Sequence, residues 1–354
     1  MAGEDEDSFA MDVERHVKFW KMHLSMLPRP YVSGDDQRMT FAYFCLSGLD
    51  LLQRTDTDCQ ADQREAYIAW IYDQQVPTEH GGGFRGSPTS SSAHIVMTYT
   101  ALLCLSILRD DFARLDREGL RRHVHQLQKP DGSFLCAHGS REQDVRFSYA
   151  AFAIAYMLND WSIMDCELAM TYMLRCQHYE GAFAQEPGLE SHGTFIFLLI
   201  PGGSTYCVVA AFALAHSLDR IPRREHLERW ILSRQVPRSG FQGRVEKTPD
   251  TCYSFWCGAS AQVLGCHNYI DARSDACWIL SAQSPLGGIA KVPGEHPDIL
   301  HSYLSYVALS LHTHDGLTTS SLSFAPVSCA LNLSRSSLAW MHTHLAPPPS
   351  YSIP

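Results

Sequence analysis

The heptapeptide Asp250-Thr251-Cys252-Tyr253-Ser254-Phe255-Trp256 sets a carboxylate and a thiol two residues apart at the head of an apolar stretch. At a helix start, where the chain is still bending, both can converge on one ion. Zinc accepts carboxylate oxygen, thiolate sulfur and imidazole nitrogen. No histidine follows closely. His301 stands 49 residues beyond Cys252, one step of an internal repeat, and opens the next apolar stretch as Cys252 opens this one. A helix-capping Asp250, a core Cys252 and a hydrogen-bonded His301 account for the same residues without a metal.

A second group is basic. Arg244 and Lys247 lie just before Asp250, Tyr253 follows Cys252, and Lys291 precedes His301 by ten residues. Arg146 and His192 open or precede apolar stretches at neighbouring repeats. In a chain of net charge -10, this set gathered at one end makes a positive mouth, which fits a diphosphate needing several charge-assisted donors. Taken singly, each reads as a solvated surface residue. A third group is aromatic: Phe41, Phe44, Tyr99, Phe147, Tyr149, Phe152, Phe255, Trp256, Tyr303 and Tyr306. Most of these pack a core. Where that core is a ring with a hollow centre, some of them line the hollow. An apolar funnel with a metal and a diphosphate clamp at its rim suits a long lipid diphosphate.

The elements that must position these groups are repeated. Gln75 to Phe84, Gln128 to Phe134, Gln177 to Phe183, Gln235 to Phe241 and Gln283 to Ile289 each read Gln, a polar or Pro-containing turn, Gly, then Phe or Ile. Their last residues are 50, 49, 58 and 48 apart. Such self-similarity marks a repeat architecture. Six strongly apolar stretches read as buried helices: Phe41 to Leu52, His94 to Leu108, Phe147 to Leu158, Tyr206 to Leu218, Cys252 to Leu264 and His301 to Leu311. They alternate with more polar helices over Arg64 to Gln75, Asp116 to Gln128, Met164 to Gln177, Arg223 to Gln235 and Asp271 to Gln283, with a weaker sixth over Ser328 to His344. Asp12 to Leu27 reads as an additional amphipathic helix. The fold class is therefore all-α: an α/α toroid of six inner and six outer helices, resembling terpenoid cyclases in architecture. The expected organisation is an N-terminal segment over 1–36, one toroid domain over 37–345 and a Pro-rich tail over 346–354.

Composition narrows the classes. With Lys+Arg 28 against Asp+Glu 38, the chain is no general nucleic-acid binder. At 45% hydrophobic and 19% charged residues, it buries a large core. The N-terminus is acidic where a secretory signal is basic and then apolar. Twelve cysteines without a CxxC pair read as reduced thiols, which points to a cytoplasmic location. Thr194 to Ala215 carries no charge over 22 residues, but Pro201 to Thr205 interrupt it, and a membrane span is not expected.

With these residues in view, the chain resembles the β subunits of protein prenyltransferases. It closely resembles those of geranylgeranyltransferase type I and is more distantly similar to those of farnesyltransferase and Rab geranylgeranyltransferase. The resembling segments are Arg38 to Asp50, His94 to Leu105, Asp144 to Phe152, Gly188 to Gly193, Asp250 to Ala259 and His296 to Leu304. The resemblance implies that Asp250, Cys252 and His301 hold one zinc per chain and that magnesium is not required. It implies that His192, Arg244, Lys247 and Tyr253 hold the lipid diphosphate, with Arg146 nearby, Trp256 among the lipid-binding residues and Thr40 at the far end of the lipid pocket. Lys291 matches a lysine of the type I enzyme, where farnesyltransferase carries a magnesium-binding aspartate. His94, Val96, Met97, Phe147 and Leu300 match positions that receive the last residue of the protein substrate. The implied reaction joins a C20 lipid from geranylgeranyl diphosphate to the cysteine of a C-terminal CaaX signal ending in Leu or Phe. Rho/Rac-type small GTPases are implied substrates, and a helical-repeat α subunit is the implied partner in an obligate heterodimer.

Two departures stand out. After His192-Gly193 the chain inserts Thr194 to Gly202, the excess that lengthens the 58-residue step. This insertion is expected to form a loop at the rim of the ring, and its removal to raise soluble yield and transfer. Between Phe84 and His94 the chain is shorter than its relatives. Farnesyl transfer and an inactive scaffold disabled by the insertion are the alternative functions. A terpene cyclase would need a DxDD acid and a glycosidase two opposed carboxylates, and neither stands out.

Overall fold

The computed structural model describes residues 10–189, 201–314 and 323–345. The six apolar stretches become α2 (Arg38–Leu51), α5 (Ile95–Ile107), α7 (Val145–Leu158), α9 (Pro201–Leu214), α11 (Thr251–Leu264) and α13 (Ile299–His314). Each packs on the next, and α13 packs on α2, which closes the ring. All-round apolar helices such as α5, where twelve of thirteen residues are buried, are stable only inside such a layer. Around them lie α4 (Ala61–Tyr72), α6 (Arg117–Leu127), α8 (Cys166–Arg175), α10 (Arg224–Leu232) and α12 (Ala272–Ser281). A single turn, α3 (Thr55–Asp58), links α2 to α4.

The recurring Gln has a physical role. In each repeat it forms an antiparallel bridge with the Phe or Ile that ends the turn. Its side-chain amide reaches ahead to the start of the next outer helix. Gln128 accepts from the Asp165 N–H at 2.7 Å and donates to the Asp165 carbonyl at 2.8 Å, and Gln235 does the same at Asp271. An amide offers a donor and an acceptor together, which few side chains do. The turn glycine lets the next outer helix come close: a Cβ on Gly181, at φ +99, would lie 2.3 Å from the Leu227 nitrogen.

The sixth outer position corrects the sequence expectation. Gln283 has no following outer helix of its own repeat series, and α1 (Val13–Ser25) takes the place. Gln283 Oε1 lies 2.8 Å from His16 Nε2, its Nε2 donates to the Ala10 carbonyl, and a Cβ on Gly287 would meet the Arg15 carbonyl at 2.3 Å. The helix expected over Ser328 to His344 exists as α14 (Arg335–His344) but lies beyond the C-terminal ends of α2 and α5. There Trp340 Nε1 donates to the Asp110 carbonyl and Ser337 donates to Asp50. A second correction concerns Pro201 and Gly202, which begin α9 rather than a rim loop. Proline is at home in a first helical turn.

Inner-helix C-termini point to a closed end. Residues 329–332, between strands β3 (Val327–Ser328) and β4 (Leu333–Ser334), cross beneath the ring. Tyr206, Tyr149 and Tyr99 donate to the carbonyls of Cys329, Ala330 and Leu331 at 2.8, 3.0 and 2.8 Å, and Tyr43 and Tyr303 both donate to that of Asn332. Five tyrosines from five inner helices thus satisfy a buried strap that would otherwise leave carbonyls unpaired. No helix among the described residues is long and apolar enough to cross a membrane. None of the twelve cysteines is in a disulfide, and only Cys277 is exposed.

Candidate active site

The open end is formed by the N-termini of the inner helices, and their first residues supply its chemistry. Asp250 is the N-cap of α11, its Oδ1 accepting from the Cys252 N–H at 3.0 Å. This geometry turns both side chains to the same side. His301, in the first turn of α13, brings Nε2 to 3.2 Å from Asp250 Oδ1. One donor atom from each of Asp250, Cys252 and His301 lies within 4.8 Å of the other two. The three residues expected to share an ion are therefore together.

Electrostatics favour a cation in this cluster. Burial pushes the Cys252 thiol well above its usual range, and the Asp250 charge pushes it further, so ionising it calls for a positive charge nearby. Burial works against charge on His301, but hydrogen bonds to Asp250 and Asp298 outweigh it and lift the ring to about 9. Burial likewise opposes the Asp250 charge, yet its bonds to His301 and Cys252 hold it below the usual carboxylate range. Carboxylate, thiol and imidazole are the donor types by which catalytic sites hold zinc with three protein ligands.

Sequence reasoning missed Asp298. This residue closes the small hairpin of β1 (Ile289–Ala290) and β2 (Pro297–Asp298) and accepts His301 Nδ1 at 2.6 Å. It stands 48 residues after Asp250, the spacing of the last two repeat turns, so it occupies the same N-cap place one repeat on. Asp144 holds that place on α7, where it binds Arg146.

The other predicted residues fall into smaller groups. Lys291 Nζ is 3.9 Å from Asp250 Oδ2. Tyr253 packs on Gly243, beside Arg244, where an added Cβ would lie 2.1 Å from the ring. Arg244 is half-buried, and Lys247 is exposed in the same turn, its N–H donating to the Arg244 carbonyl. His192 and Thr194 to Ile200 lie outside the described residues. His94 meets the Phe147 ring edge-on at 5.8 Å, and the Arg146 guanidinium sits 5.4 Å over that same ring. Val96 and Leu300 are half-buried in the first turns of α5 and α13. Thr40 donates to Met97 Sδ at 3.4 Å, so the residue expected at the lipid's end touches one expected at the peptide's end. Trp256 stands 5.1 Å from Tyr206, whose ring belongs to the tyrosine belt. Aromatic side chains thus lie between the helix N-termini that carry the cluster and the strap held by the tyrosines.

Comparison with known proteins agrees with this arrangement. Residues 11–333 match the family described as "Prenyltransferase alpha-alpha toroid domain". The chain is 36% identical to the geranylgeranyl transferase type-1 subunit beta of Arabidopsis thaliana, over 89% of this chain and 88% of that protein. It is 36% identical to the subunit of the same name from Dictyostelium discoideum, over 84% and 90%. Among solved structures, Candida albicans protein geranylgeranyltransferase-I complexed with GGPP superposes with a TM-score of 0.83, covering 95% of this chain and 99% of that one at 23% identity. That likeness speaks for the toroid fold.

Proposed function

The chain belongs to the prenyltransferase α/α-toroid family, and from that premise we propose that it is the β subunit of a type I protein geranylgeranyltransferase. It transfers the C20 group of geranylgeranyl diphosphate to the cysteine of C-terminal CaaX signals, together with an α subunit. The observation that carries this reading is the convergence of Asp250, Cys252 and His301 at the helix N-termini of a ring whose other end is crossed by the 329–332 strap. The two type-1 relatives, similar over most of their length, favour it over farnesyl transfer.

Asp250, Cys252 and His301 would hold zinc, which would supply a Lewis acid that keeps the substrate cysteine as a thiolate at neutral pH. The ring's aromatic wall takes up the lipid and excludes water from it. As the thioether forms and the C–O bond to diphosphate breaks, charge builds on the departing group. Arg244, Tyr253 and Lys291 stand at the rim to meet it, and Lys247 and His192 belong to the same proposed clamp. Lys291, 3.9 Å from Asp250, would serve there in place of a second cation. No side chain has to act as a general base once the thiol is ionised. Arg146, held by Asp144, stands with His94 and Phe147 where the peptide end would lie. Twelve cysteines outside any disulfide support a cytoplasmic setting.

The test is co-expression with a type I α subunit, with transfer rates measured from C20 and C15 diphosphates to a peptide ending in CaaL. Preference for C20 supports the proposal. Preference for C15, or no transfer in a folded complex, removes it.

A further inference from the structure

The three clustered residues lie on two helices, and something must set the gap between those helices. The β1–β2 hairpin is built to do so. Thr251 sits between the two α11 residues of the cluster and is fully buried. Its N–H donates to the Lys291 carbonyl at 3.0 Å, and its hydroxyl donates to the Ala290 carbonyl at 2.8 Å. On the α13 side, Asp298 accepts the His301 N–H at 2.9 Å through Oδ1 and His301 Nδ1 at 2.6 Å through Oδ2. Asp298 is paired in register with Ile289, the residue before Ala290. One short hairpin therefore grips both ligand-bearing segments.

Comparison between repeats separates what is general from what is special here. The backbone link recurs: Ile95 donates to the Cys136 carbonyl and Val145 to the Gln185 carbonyl at 2.8 and 3.1 Å. Ile95 and Val145 have no hydroxyl, so the second bond made by Thr251 is an addition at this repeat. A hydroxyl that accepts the N–H of the residue ending the turn is general, because Thr98 and Thr205 do for Phe84 and Phe183 what Ser302 does for Ile289. A carboxylate on a ring histidine is special to α13, since Asp144 in the matching place is bound to Arg146.

We propose that the 289–298 hairpin is the template of the metal centre, with Thr251 and Asp298 as its positioning residues. The proposal rests on the metal reading above. By accepting the hydrogen bond of Nδ1–H, Asp298 favours the tautomer whose Nε2 lone pair faces Asp250 and Cys252. Loss of such outer partners typically costs ~10–100-fold in metal affinity. Thr251 holds Asp250 and Cys252 in rotation about α11. Because its acceptors are Ala290 and Lys291, it also holds the Lys291 backbone beside the cluster.

The test uses the complex with the α subunit. Zinc affinity is measured by competition with a chromophoric chelator, and the visible spectrum is recorded after cobalt substitution. Asp298→Ser keeps a hydroxyl to cap α13 but is too short to reach the ring, and should bind zinc ~10–100-fold more weakly with an altered cobalt spectrum. Asp298→Asn keeps an oxygen for Nδ1–H and should recover most of that affinity. Thr251→Val should weaken zinc about 10-fold, and Thr251→Ser should not. Parental zinc affinity and cobalt spectrum in both Asp298→Ser and Thr251→Val would overturn the template. Should Asp298→Ser fail to fold, the Thr251 pair decides. Cys252→Ala in the same assay separates the two claims: if it too keeps zinc, the metal reading has failed; if it alone loses zinc, only the template has.

Discussion

Thr40→Trp probes how the ring measures its lipid. Thr40 is half-buried on α2 and already touches Met97, which is 5% exposed. Packed interiors do not yield room for an indole, so the new ring must turn into the lumen. There it would take up space comparable to one five-carbon isoprene unit. Burying a CH2 group is worth about 0.8 kcal/mol, so exclusion of such a unit costs roughly 3–4 kcal/mol of C20 binding. At about 1.4 kcal/mol per tenfold, the C20:C15 ratio of kcat/KM should fall by ~100-fold or more. The assay is steady-state competition between the two lipid diphosphates with one CaaL peptide. Met97→Ala in the same chain should give back part of the C20 preference, because it opens a side pocket for the indole. An unchanged ratio in a folded Thr40→Trp protein would show that Thr40 does not face the lipid.

Other outcomes follow from the same geometry. Burial holds His123 and His94 down to about 4; unfolded chains then bind protons that the native state does not, so stability is full above about 6.5 and is lost as pH falls toward 4. His123→Gln should remove about 3 kcal/mol of this loss at pH 4, seen as a flatter dependence of urea midpoint on pH; an unaltered slope would contradict it. Tyr206→Phe removes the 2.8 Å hydrogen bond to the Cys329 carbonyl and should cost about 0.5–1.5 kcal/mol in chemical denaturation; a neutral change would mean that this bond does not hold the strap. Gly243→Ala drives a methyl into the Tyr253 ring. Through about 1–3 kcal/mol of overpacking, it should lower kcat more than peptide binding, and a parental kcat would argue against Tyr253 at the leaving group.

The ring was legible because its rule is local. Apolar stretches separated by Gln-turn-Gly-Phe units define the inner helices and their spacing, and the repeat step carries Cys252 to His301. The position of α1 was less visible, because an amphipathic helix looks the same whether it is an appendage or the last outer helix. Only Gln283, searching for a partner as Gln128 and Gln235 do, hints at the closure. The floor was not visible at all: residues 329–332 have no pattern of their own, and the tyrosines that hold them read from sequence as core. Asp298 was hidden for a different reason. It sits at a helix start, where Asp is common as a cap, and its second bond to His301 depends on a hairpin too short to show periodicity.

The account turns on the cluster at the rim. The most direct measurement compares the parent complex with Cys252→Ala for bound zinc, for C20 transfer to a CaaL peptide and for binding of the lipid diphosphate alone. The account predicts about one zinc per chain in the parent. In the variant it predicts loss of most zinc and nearly all transfer, with lipid binding retained. A Cys252→Ala complex with full zinc and a full rate of transfer would contradict it.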